Sequence, residues 1–140
     1  MEPTKIMVID DHLDWLHNVR SRIQAVSDLR CIPLPSYKNV VRQAIRFAPA
    51  VIVFNGALEE CYAPMRELKG NYLTKDIPMV VLTDEYDEDS KIKAYTYGCI
   101  DFIVDPKESD DLVDRLRSYG CLGLIDVKLK RLIREGSKVS

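Results

Sequence analysis

The chain has 140 residues and a net charge of −2, with 46% hydrophobic and 30% charged residues. That length suits one domain, which buries about two-thirds of its unfolded surface and needs no disulfide or metal staple. The charge excludes a general attraction to nucleic acid or anionic lipid. The apolar runs are too short for a membrane span, which takes about 20 residues.

In chain order, KIMVID (5–10) is a β-branched run and predicts a buried strand. Leu13, Leu16, Val19, Ile23 and Val26 follow at helical spacing. RCIPLPSY (30–37) is a weaker strand whose two prolines deny ladder donors, which places it at a sheet edge. Val40, Val41, Ala44, Ile45 and Ala48 predict a helix stopped by Pro49. AVIVF (50–54) is apolar throughout, as in a strand covered on both faces.

A third helix around 63–70 ends at Gly70, a candidate left-handed cap. IPMVVLT (77–83) is the fourth strand, and a helix runs from Asp89 or Ser90 to Gly98. DFIVDP (101–106) is the fifth strand, and SDDLVDRLRSYG (109–120) the last helix of the unit. Strands alternating with helices over short connections imply parallel strands joined by right-handed crossovers, hence a doubly wound α/β sandwich.

The four cysteines lie far apart with no C-x-x-C pair, which reads as reduced, mostly buried thiols in a cytoplasmic protein. No signal peptide or membrane span is expected. In an open α/β sheet the site lies beyond the carboxyl ends of the strands. Those ends carry Asp10-Asp11, Asn55-Gly56, Thr83-Asp84 and Asp105-Pro106. Four polar tips on one edge mark a candidate site.

The acidic pair after strand one, Thr after strand four, AYTYGCIDFI (94–103) and the final X-Pro resemble the receiver domain of bacterial response regulators. The resemblance covers residues 5 to about 119 and implies a five-stranded, three-layer CheY-like (flavodoxin-like) sheet of order 2-1-3-4-5. It divides the chain into a receiver-like unit, 1–120, and a helical extension or linker, 121–140.

By position, the resemblance makes Asp10 and Asp11 the metal pair, with Asn55 a possible third ligand. Thr83 becomes the phosphoryl-contacting hydroxyl and Phe102 the switch aromatic, whose inward ring accompanies the phosphorylated-like state in that family. The phosphoacceptor aspartate is replaced by Asn55 and the lysine by Asp105. Asp84 stands where a small residue is usual.

These departures change the chemistry. An amide does not attack phosphorus as a carboxylate does, so no acyl phosphate is expected at Asn55. An Asn carbonyl ligates Mg²⁺ or Ca²⁺ without charge, so any cation is held weakly. Asp10, Asp11, Asp84 and Asp105 would crowd one pocket. At an effective dielectric of 20, unit charges 4 Å apart interact by about 4 kcal/mol, so a proton or a cation is needed there. Deamidation at Asn55-Gly56 would restore an acid but not the lysine.

His12 reads as an exposed loop residue, and Glu59 and Glu60 as solvated loop charges. DEYDED (84–89) lacks EF-hand spacing. Tyr95 and Tyr97 are either partner anchors or partly buried. In the extension, Leu122, Ile125, Leu129 and Leu132 are spaced 3, 4 and 3. That suits docking on its own domain, a seam with a second copy, or a connector to another domain.

Three functional readings stand. The first is a non-enzymatic, phosphorylation-independent regulatory module of two-component signalling. It would contact a histidine kinase, an output domain or another regulator, with a homodimer possible and no nucleic acid bound. The second still answers to a phosphoryl group or a divalent metal through Asp10, Asp11 and Thr83. The third is an unrelated flavodoxin-like metal or anion binder, which the lack of a Gly-rich phosphate loop disfavours.

Overall fold

The computed structural model describes residues 2–56, 59–104 and 111–139; beyond Gly123 it describes the helix backbone and the side chains of Leu129, Leu132 and Ile133. The elements are β1 (Thr4–Ile9), α1 (Leu13–Gln24), β2 (Leu29–Leu34), α2 (Val40–Phe47), β3 (Val51–Asn55), α3 (Tyr62–Lys69), β4 (Met79–Thr83), α4 (Glu88–Thr96), β5 (Asp101–Val104) and α5 (Leu112–Val139). A single 3₁₀ turn, Glu59–Cys61, leads into α3.

All strand pairs are parallel, in the order β2-β1-β3-β4-β5. The doubly wound sheet and its strand order are therefore as expected. Register aligns the carboxyl ends: Ile9 pairs with Leu34 and Phe54, Asn55 with Leu82, and Thr83 with Val104. The described polar tips, Asp10, Asn55 and Thr83, thus reach the same edge. β2 lies outermost, where Pro33 has no second neighbour to bond.

Period-two alternation splits the apolar residues between two faces. Ile6, Val8, Val51, Val53, Val80, Leu82 and Ile103 meet Leu16, Val19 and Ile23 of α1 and Leu112 and Leu116 of α5. Met7, Ile9, Ile52, Phe54, Met79, Val81 and Phe102 meet Val40 and Ala44 of α2, Met65 and Leu68 of α3, and Ala94 of α4.

Some local expectations need correction. Gly70 ends α3 in right-handed conformation (φ −82°, ψ −4°), because its N–H still reaches Arg66 and Glu67 carbonyls. Left-handed conformation is found instead at both ends of α2, at Asn39 (φ 59°) and at Ala48 (φ 47°), which closes the helix just before Pro49. α4 starts at Glu88, with Asp87 before it in extended conformation. Ser90 does not cap the backbone; its hydroxyl donates to the Asp87 carboxylate at 2.6 Å.

α5 runs unbroken from Leu112 to Val139, 28 residues. Two glycines let it pass close under the amino ends of the strands. A Cβ at Gly120 would stand 2.8 Å from Thr4 Cγ2, and one at Gly123 would stand 1.9 Å from the Ala50 carbonyl oxygen. Among the described residues, no helix is long and apolar enough to cross a membrane.

Candidate functional site

β1 ends at Ile9, and the chain turns with the Asp10 N–H donating to the Leu34 carbonyl at 3.1 Å. This bond fixes Asp10 at the root of the edge, where it is 0% exposed. A buried carboxylate needs donors. Asn55 Nδ2 donates to Asp10 Oδ2 at 2.9 Å, and His12 Nδ1 approaches Asp10 Oδ1 at 3.3 Å. The same ring nitrogen lies 2.8 Å from Asp11 Oδ1.

The amide at position 55 therefore faces the acid directly. Where a carboxylate would repel Asp10, the Asn55 side chain supplies a donor. The sequence placed His12 as an exposed loop residue, without its contact to the acids. Its side chain is 57% exposed, yet it bridges both acids. An i,i+2 spacing across a tight turn is the signal that was available, because the turn folds His12 back over Asp10.

The hydrogen bond to buried Asp10 raises the His12 pKa above its usual 6.5, helped by the charge of Asp10 and then by Asp11. Asp11 is nearer but half exposed, so water screens its attraction. The contribution of His12⁺ to stability is fully present below pH 6.5 and is lost as pH rises through the higher folded-state value. NMR titration of His12 should give a midpoint above 6.5 that falls in Asp10→Asn; an unchanged midpoint would refute the contact.

Of the four acids expected in one pocket, Asp84 does not join Asp10 and Asp11. Among the described residues, Asp10, Asp11 and His12 form the one close group, their ligand atoms within 4.8 Å of one another. Asp84 is exposed and outside it. Asp105 lies outside the described residues. Glu59 is solvent-facing and pairs loosely with Lys93 at 3.6 Å.

Thr83 is buried at the tip of β4. Its hydroxyl donates to the Glu85 carbonyl at 3.1 Å and accepts from the Glu85 N–H at 3.2 Å, a local turn that occupies it. Phe102 is 7% exposed, its ring inside the core on the α2–α3–α4 side. Tyr97 stacks on Tyr62 at 5.2 Å, and Tyr95 is exposed. Tyr37 is a residue the sequence did not flag. Its buried hydroxyl has no hydrogen-bond partner among the described residues, and burial, then Asp10, holds the phenol protonated.

Gly56 is required for space, since a Cβ would sit 2.3 Å from Val81 Cγ1. Its N–H donates to the Leu82 carbonyl at 2.6 Å. That nitrogen is the atom that must attack the Asn55 side chain in deamidation, so folding withholds it. Intact mass should show the deamidation gain of about 1 Da at least roughly tenfold more slowly in folded than in urea-unfolded protein. Equal rates would show that the bond does not protect.

Cys31, Cys61 and Cys99 are buried and Cys121 exposed, and no two are joined. Burial pushes Cys31 to about 11 and Cys61 and Cys99 to about 12, well above the thiolate range.

A parallel sheet of order β2-β1-β3-β4-β5, with an acid pair after β1 and a hydroxyl after β4, has the architecture of response-regulator receiver domains. Among solved structures, the chemotaxis protein CheY4 of Vibrio cholerae superposes with a TM-score of 0.73 at 16% identity, covering 84% of this chain and 98% of that one. A response regulator from Thermotoga maritima gives 0.71 at 19% identity, covering 86% and 99%. One from Desulfuromonas acetoxidans gives 0.63 at 20%, covering 94% and 97%.

In sequence, the phosphate regulon transcriptional regulatory protein PhoB of Pseudomonas aeruginosa is 42% identical over 53 residues, 38% of this chain. The match spans 23% of that relative's length. No protein-family profile matches the chain.

Proposed function

We propose that this chain is a receiver-like regulatory module of two-component signalling that works by protein contact, without accepting a phosphoryl group at position 55. The Asn55–Asp10 hydrogen bond carries this reading. An acyl phosphate needs a carboxylate nucleophile. Here the position holds an amide whose N–H₂ is directed at the neighbouring acid.

The module has no catalytic activity of its own and acts in the cytoplasm. Its partners are a histidine kinase, an output domain or another regulator, reached through exposed side chains such as Ile92 and Tyr95 of α4. The test is intact mass before and after incubation with acetyl phosphate and Mg²⁺. No adduct is the expected result. An adduct on undeamidated protein would overturn the reading and send the search to another acceptor.

A second reading is favoured by the adjacent acids: buried Asp10 and half-exposed Asp11 offer two oxygen-donor side chains to Mg²⁺ or Ca²⁺. The donor set fits such a cation only weakly, because His12 and the Asn55 N–H₂ already occupy both Asp10 oxygens. The cation would add positive charge at the strand tips. Calorimetric titration should detect weak binding, and no heat with either ion would remove this reading.

A further inference from the structure

We infer that the groove between the carboxyl ends of α3 and α4 is a docking site for an acidic, aromatic-bearing segment of a partner protein. The groove has a volume of about 500 Å³ and is lined by Arg66, Lys69, Thr96, Tyr97 and Gly98. α3 and α4 both run away from the carboxyl edge, so their last turns lie near the amino ends of β4 and β5. That is the opposite end of the sheet from Asn55, and the inference does not depend on how position 55 behaves.

Gly98 makes the groove possible. Its φ of +108° suits glycine, and a Cβ there would stand 2.5 Å from Lys69 Cε. The aliphatic stem of Lys69 therefore lies on the end of α4, and its amine donates to the Lys75 carbonyl at 2.9 Å. Half-buried Tyr97 forms a wall, its ring stacked on Tyr62 at 5.2 Å. The turn after α3 adds Lys75, whose amine lies 5.2 Å from the ring centre of exposed Tyr72.

Basic residues in the last turn of a helix ordinarily serve its bare carbonyls. Here those carbonyls are already met. The Gly70 N–H donates to Arg66 and Glu67, and the Asn71 N–H and the Thr74 hydroxyl donate to Leu68. At the end of α4, the Lys93, Ala94 and Tyr95 carbonyls accept from Tyr97, Cys99 and Gly98. The charges are not spent on ion pairs either. Among the described residues no carboxylate pairs with Arg66 or Lys69, whereas Arg115 and Arg117 on α5 each hold two. Glu67, the nearest acid in sequence, lines a separate groove toward α2 with Arg42 and Ile45.

Charge complementarity selects the occupant. Arg66 and Lys69 are three residues apart on one helix face, about 5–6 Å between Cβ atoms, and suit two carboxylates at that spacing. Tyr97 and Tyr72 offer ring faces to an aromatic side chain beside those carboxylates. A nucleic acid needs a longer run of phosphate contacts, and beyond this groove it meets a chain of net charge −2. The cations are exposed, so binding is weak and salt-sensitive.

The test is a titration of the ¹⁵N-labelled full chain with a synthetic peptide of three Glu-Phe-Glu-Gly repeats, followed by amide shifts. Shifts should be largest at Arg66, Lys69, Tyr97 and Gly98, and the affinity should fall at least about threefold between about 50 and 300 mM salt. Arg66→Glu should weaken binding at least roughly tenfold with an unchanged unfolding midpoint, because that side chain is exposed and makes no ion pair among the described residues. Lys69→Gln, which keeps a stem over Gly98, should weaken it by about threefold. Arg42→Glu, beside the other groove, should bind within about twofold of wild type.

The absence of saturating shifts at these amides up to about 5 mM peptide overturns the inference. Wild-type affinity in Arg66→Glu, or an equal loss in Arg42→Glu, overturns it as well. Single-stranded DNA of about twenty nucleotides binding these amides more tightly than the peptide would assign the groove to nucleic acid instead.

Discussion

Asn55→Asp is expected to destabilise the protein at neutral pH in chelator by up to about 4 kcal/mol, the repulsion of unit charges near 4 Å at an effective dielectric of 20. In the native chain the Asn55 amide donates to fully buried Asp10 at 2.9 Å. The variant loses that donor and sets two carboxylates against each other at the root of the sheet edge. Either a proton or a cation must then enter.

The loss should shrink as pH falls, when one carboxyl of the pair takes up a proton. It should also shrink on adding about 10 mM Mg²⁺, because a cation that binds only the folded state stabilises it by mass action. Urea unfolding of both proteins, with and without Mg²⁺, measures this. Equal midpoints in chelator would mean that Asn55 does not relieve a charge conflict at Asp10.

Phe54→Ala should cost about 3–5 kcal/mol, the usual range for removing a buried aromatic ring. That is a large part of the 5–15 kcal/mol by which domains are stable. Phe54 heads the fully buried side chains in size and packs between the sheet and helices α2 to α4. It also directly precedes Asn55, so its ring holds the strand tip that presents the amide. Phe54→Leu, which keeps most of the volume, should lose far less, under about 1.5 kcal/mol. Denaturant midpoints separate the two. A similar loss in both would mean that ring shape, rather than buried volume, supports the tip.

The core was largely legible beforehand because its signals are local. AVIVF is apolar at every position, and a strand with that pattern must be covered on both faces. Leu16, Val19 and Ile23 recur at helical spacing and are buried as that spacing requires. The caps were less legible. Gly70 and Ala48 exchange the expected conformations because a neighbouring carbonyl and a following proline decide them, and residue type is a weak guide to either.

At the candidate site, sequence by itself determined the chemistry that is absent: an amide at 55 and no lysine at 105. It also determined the acids at 10 and 11 and the apolar spacing in the extension, since these are identities and intervals along one chain. Only the tertiary structure decided how the charges are met. Asp84 turns out to solvent while His12 folds back over both acids, and Asn55 reaches Asp10 across 45 residues of chain. It likewise decided that Leu122, Leu129 and Leu132 of α5 are exposed, because two glycines set the rotation of the helix against Thr4 and Ala50. Electrostatic contacts depend on distance and burial in space, and neither is written in the order of the residues.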